Sequence, residues 1–93
     1  VRIGSCRLDI ILPPNRSLKD KRRVLKSLSQ RCRNKFNVAV AEVDYHDVLN
    51  RIGLGIVTVA ADEGHCKSSL MAVLRWLEAN VEVIDFSYEL ESL

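Results

Sequence analysis

The hydrophobic period of this chain switches from two residues to about 3.6 and back, twice over, and few folds satisfy that order. From Ile3 to Leu12 the residues alternate, with Cys6, Leu8, Ile10 and Leu12 on one face and Ser5, Arg7 and Asp9 on the other. That is a strand with one buried face. Pro13, Pro14 and Asn15 stop it. A helical segment follows from about Leu18 to about Asn34, in which Leu18, Val24, Leu25, Leu28 and Cys32 share an arc about 120° wide. Phe36 to Asp44 reads as a second strand, and Tyr45 to Arg51 as a connection.

Gly53 to Ala61 is almost continuously apolar, which predicts a central third strand. Asp62, Glu63 and Gly64 lead into a second helix whose Cys66, Leu70, Val73, Leu74, Trp76 and Leu77 share one face. In the last strand, Val81 to Leu90, Ile84, Phe86, Tyr88 and Leu90 are expected inward against Asp85, Ser87, Glu89 and Glu91. The order β-α-β-β-α-β predicts an α+β, ferredoxin-like sandwich: a four-stranded antiparallel sheet with both helices on one face and strands one and three central. Residues 1–93 form one such domain, with no internal linker. The sheet's other face would carry Arg7, Asp9, Asp85 and Glu89 beside Ile3, Ile11, Val81 and Val83. That face or an edge strand is a candidate surface for a homodimer.

A hydrophobic share of 47% excludes a disordered chain. No apolar run approaches the ~18–20 residues that span a bilayer, so no membrane association is expected. Cys6, Cys32 and Cys66 are scattered without ligand spacing. They predict reduced thiols acting as small core hydrophobes in a cytoplasmic protein.

The net charge of +2 conceals a strong asymmetry. Residues 16–35 hold nine basic side chains and one acid, Asp20, whereas residues 36–93 hold three basic and ten acidic ones. Arg16, Lys19, Lys21, Arg22 and Arg23 crowd the start of the first helix, where the helix dipole disfavours cations. Ser17 is the expected cap, and Asp20 completes an S-x-x-D box. Lys19, Arg22, Arg23, Lys26 and Arg33 form one ridge turned away from the core, almost without acids at helical spacing to pair with. Such a ridge suits phosphate. Lys21 falls within the apolar arc instead. Its expected role is to pack its stem along the core edge with the ammonium emerging; the alternatives are a bound anion or an internal carboxylate. The phosphate or RNA-binding candidates are therefore Arg16, Ser17, Lys19, Lys21, Arg22, Arg23, Lys26 and Arg33.

Glu42, Asp44 and His46 make a second candidate polar site, and Asp62, Glu63, His65 and Cys66 another polar cluster. Neither has a recognised metal-ligand spacing, and Asp62 reads as a helix cap, so no metal and no cofactor are expected. No nucleophile or glycine-rich cradle accompanies them. Trp76, Phe86 and Tyr88 are expected on core faces, so any nucleic acid would be held by charge and shape, not by base stacking.

The segments Ser17-Leu18-Lys19-Asp20-Lys21-Arg22-Arg23-Val24-Leu25 and Phe36-Asn37-Val38-Ala39-Val40-Ala41-Glu42-Val43, after a first strand ending in a Leu-Pro turn, resemble the YlxP-like family of small bacterial proteins, a domain of unknown function. The resemblance covers essentially the whole chain, although family members often carry Trp where Leu49 stands. It implies a ferredoxin-like fold, a cytoplasmic location and no established catalytic activity. Gene neighbours concerned with translation and ribosome maturation imply an RNA or ribosome partner. The expected function is a non-enzymatic cytoplasmic module that binds structured RNA, or a ribosomal particle, through its basic first helix. The alternative is a dimeric small-ligand or protein-interaction domain using the open sheet face. A phosphate-ester hydrolase is a third option, weakened by the absence of the V-x-G-x-V-Q-G-V-x-[FY]-R loop of the acylphosphatases that share the fold.

Overall fold

The computed structural model describes residues 1–14 and 17–93. Its elements are β1 (Arg2–Ile11), α1 (Leu18–Lys35), β2 (Ala39–Asp44), β3 (Arg51–Ala60), α2 (Glu63–Asn80) and β4 (Glu82–Ser92). The strands form one antiparallel sheet in the order β2-β3-β1-β4. This is the ferredoxin-like arrangement, with β1 and β3 central. Among the described residues no helix is long and apolar enough to cross a membrane.

Both helices start on side-chain caps. Ser17 Oγ accepts the Asp20 N–H at 3.2 Å, and Asp62 Oδ1 accepts that of His65 at 2.8 Å. Each cap satisfies a donor that the first turn leaves unpaired. β2 begins later than its apolar pattern suggests because Phe36 closes α1. The Phe36 N–H donates to Cys32 O at 2.9 Å, and its ring meets Trp76 edge-on at 6.1 Å.

The core lies between the sheet and the helices. Leu8 and Ile10 of β1, Ile52, Leu54 and Ile56 of β3, Leu28 and Cys32 of α1, and Leu70, Val73 and Leu77 of α2 are all buried in it. Full burial of each large aliphatic side chain contributes about 1.5–3 kcal/mol.

Two β-bulges depart from simple alternation. One lies in β4, where Asp85 pairs with Asp9 but Val83 with Ile10, leaving Ile84 as the extra residue. The slip turns Val83 inward with Val81, Phe86 and Leu90, and leaves Ile84 44% exposed. The expectation of Ile84 inside and of Val81 and Val83 outside is therefore corrected. Tyr88 shares the helix-side face but is 39% exposed at the sheet edge, with Lys67 Nζ 6.0 Å from its ring centre.

The other bulge lies in β2, between Glu42, opposite Leu54, and Asp44, opposite Gly53. Glycine is required across from it. A Cβ on Gly53 would sit 2.7 Å from Asp44 Cβ, and one on Gly55 would sit 2.8 Å from Val43 Cγ1. On α1, Val24 is 39% exposed, and its place in the predicted stripe is taken by Lys21.

Candidate nucleic-acid interface and its neighbouring polar cluster

Lys19, Arg22, Arg23, Lys26 and Arg33 all lie exposed on α1. Among the described residues no carboxylate pairs with any of them. The remaining cations of the helix are occupied elsewhere. Arg31 lies over the Trp76 ring at 5.7 Å and reaches Asn80 Oδ1 at 3.5 Å. Lys35 lies 6.0 Å from the centre of the Phe36 ring. Arg16 falls outside the described residues. Ser17 is half-buried at the cap, its side chain committed to Asp20. The ridge is thus a row of cations whose charge no carboxylate among the described residues offsets.

Lys21 belongs to a different site. It is 1% exposed, and its Nζ lies 3.0 Å from Glu42 Oε2. The ammonium donates to Tyr45 O at 2.5 Å and to His46 O at 3.4 Å. Glu42 Oε2 is close to the ammonium but off the line of a hydrogen bond, so the pair is held by charge while the carbonyls provide direction. The expectation that the ammonium emerges into solvent is corrected. The lysine is an internal tie from the first turns of α1 to β2 and the loop after it. It cannot contribute to the ridge.

The proposed grouping of Glu42, Asp44 and His46 also divides. Residues two apart on a regular strand share a face, but the β2 bulge sends Glu42 to the helix side and Asp44 to the open side. His46 is exposed, with Nε2 4.0 Å from Glu42 Oε1.

Asp44 instead joins a cluster that the sequence did not announce. Arg7 donates from Nη2 to Asp44 Oδ2 at 2.9 Å and to Asp9 Oδ1 at 3.2 Å. Its guanidinium reaches from β1 to β2 across Gly53 and Gly55 of β3, which present no side chain in its path. Arg51 Nη2 lies 3.7 Å from Asp9 Oδ2, and its guanidinium stacks 4.3 Å from the Tyr45 ring centre. Arg7 holds the Asp44 carboxyl below its ordinary value of 3.8, helped by the Tyr45 N–H donating to Asp44 Oδ1 at 2.8 Å. Asp44 and Asp9 in turn raise the Arg7 guanidinium.

Tyr45 joins the two sites. Its φ of 61° lies in the left-handed region, a conformation costing of order 1–3 kcal/mol for a bulky residue. Four contacts hold it there. The N–H is bound by Asp44, the carbonyl by Lys21 and by the Val48 N–H at 3.0 Å, and the ring by Arg51. The opposite charges of Arg7 and Asp9 on one strand face were the only sequence signal of this cluster. Nothing in the sequence marks Tyr45.

The open face of the sheet forms a shallow groove of about 510 Å³ over Ser5, Ala41, Gly55 and Ser87, walled by Val43 and Val57. Among the described residues no group of three or more His, Cys, Asp and Glu side chains could hold a metal. The three cysteines are free and buried. Burial, with Cys32 close by, pushes the Cys6 thiol up to about 12, and burial raises Cys32 as well. Neither is a poised nucleophile.

A family model described as a protein of unknown function, DUF503, matches residues 3–89. The chain is also 35% identical over 81 residues to the uncharacterized protein YlxP of Bacillus subtilis (strain 168), covering 87% of this chain and 88% of that one. The matched region contains α1 with its ridge, the Lys21–Glu42 tie and the Arg7 cluster. The chain belongs to the DUF503 family of proteins of unknown function.

Proposed function

We propose that this protein is a non-enzymatic cytoplasmic module that binds structured RNA, free or in a ribosomal particle, through the outward face of α1. The observation that carries the reading is the ridge of Lys19, Arg22, Arg23, Lys26 and Arg33, exposed and without a carboxylate partner among the described residues. Cations at helical spacing meet successive phosphates, and each phosphate neutralised releases counterion. The ridge lacks aromatic side chains, so it reads backbone charge and helix shape, not base identity. Lys21 supports the reading indirectly by fixing the start of α1 on the sheet.

The test is crosslinking in cells followed by sequencing of the bound RNA, comparing the wild type with Arg22→Glu/Lys26→Glu. The reading expects enriched structured RNA with the wild type and its loss with the variant. Equal recovery from both would contradict it.

The open-face groove, with Val43 and Val57 about half exposed, supports a second reading as a dimeric small-ligand or protein-interaction domain. A monomer at high micromolar concentration in sedimentation would remove its dimeric form.

A further inference from the structure

We infer that the outer edge of β4 takes up an extended basic segment of a partner protein as a fifth strand of the sheet. The surface is independent of the RNA reading and lies on the opposite side of the molecule. α1 packs against β2 at one edge of the sheet, whereas β4 forms the other edge beneath α2.

The two edges differ in their capacity to accept a strand. β2 is short and bulged at Val43, which are two of the devices that blunt an edge. β4 runs for 11 residues, and beyond its bulge at Ile84 it pairs with β1 without interruption from Asp85 to Ser92. No strand among the described residues covers its outer side. Each antiparallel strand directs half of its backbone donors and acceptors to each neighbour, so a row of these groups faces outward along β4, with the Phe86 N–H already donating to Asp85 Oδ1 at 3.0 Å.

Side-chain chemistry selects the occupant. On the open face β4 presents Glu82, Asp85, Ser87, Glu89 and Glu91, all exposed. Among the described residues none of the four acids pairs with a cation. On the helix side Tyr88 remains partly exposed beside Phe86, with ring centres 5.9 Å apart. An added strand would therefore place basic residues at alternate positions against the acids and apolar or β-branched residues between them, against Tyr88. Opposite charges facing each other across adjacent strands are favourable, and like charges are not.

The same rule disfavours the two central registers in which a second copy of this edge would pair. A two-fold pairing of β4 with itself centred on Ser87 sets Asp85 against Glu89, and one centred on Tyr88 sets Asp85 against Glu91. RNA is excluded by the same carboxylates. What remains is strand addition, in which backbone bonds supply affinity and alternate side chains supply specificity.

The test uses the full chain and a fluorescent short peptide alternating Lys with Val, measured by anisotropy at low salt, with amide hydrogen exchange as a second readout. Three comparisons accompany it: a peptide of the same composition with its lysines clustered, the alternating peptide N-methylated at the positions that donate to β4, and the exposed-residue variant Glu89→Lys/Glu91→Lys. The alternating peptide is expected to bind and to slow exchange of β4 amides. Each comparison is expected to weaken binding by about tenfold or more. Equal binding of the clustered peptide would reduce the effect to nonspecific charge attraction and overturn the inference. Unprotected β4 amides, or a β4-dependent dimer in sedimentation equilibrium, would overturn it too.

Discussion

Lys21 and Arg22 are neighbours in the chain and opposites in the fold. Arg22 stands in water with the rest of the ridge, while Lys21 is buried, faced by Glu42 and bonded to two backbone carbonyls. One helical step, about 100° of rotation, separates a charge available to a ligand from a charge consumed by the fold. A count of basic residues therefore overstates the binding surface. Of the nine cations in residues 16–35, five form the ridge, Lys21 is internal, Arg31 and Lys35 lie over aromatic rings, and Arg16 lies outside the described residues.

The difference can be tested first where the effect is largest. Lys21→Met leaves the Glu42 carboxylate and two carbonyls without their cation. Removing one member of a buried pair costs about 3–5 kcal/mol, so the urea midpoint should fall sharply. Adding Glu42→Leu should recover much of that loss, because replacing both members by apolar groups is often neutral or better. No recovery would mean that the carbonyl contacts, not the pair, hold α1. Arg22→Glu/Lys26→Glu should act the other way: stability within about 0.5 kcal/mol of wild type, and RNA affinity down about a hundredfold at low salt.

A gain-of-charge variant sharpens the contrast at a smaller scale. Gln30→Arg adds a cation to the exposed face of α1. It should tighten RNA binding several-fold with an unchanged melting temperature. The smallest effect is a pH slope. Asp44 is held below 3.8 when folded, so its ion pair stabilises the protein above that value and the contribution fades as pH falls through the lower, folded value. Asp44→Asn should flatten the acid limb of the stability curve below about pH 4 and leave the neutral limb shape unchanged.

How much was legible in the sequence follows from the range of each interaction. Element order, caps and most of the core follow from local periodicity, and Leu8, Ile10, Leu28 and Leu70 are buried where the pattern places them. The ridge was legible for the same reason, since a single helix fixes its geometry. The misses come from contacts between elements. A bulge at Ile84 shifts the phase of β4, and another at Val43 separates Glu42 from Asp44. Neither is visible until the partner strand is known. Lys21 lay in the apolar arc, which signalled an unusual position, but its partner is distant in sequence. The Arg7 cluster needed the glycines of β3, and Tyr45 needed contacts from α1, β2 and β3 together.

The most direct measurement is the salt dependence of RNA binding for wild type, Arg22→Gln/Lys26→Gln and Lys21→Met, each under conditions where it is folded. If the ridge meets the phosphates and Lys21 does not, the slope of log affinity against log salt falls by about two for the ridge variant and stays at the wild-type value for Lys21→Met. An unchanged slope for the ridge variant, or a slope reduced by about one for Lys21→Met, would contradict the division of charge on which the account rests.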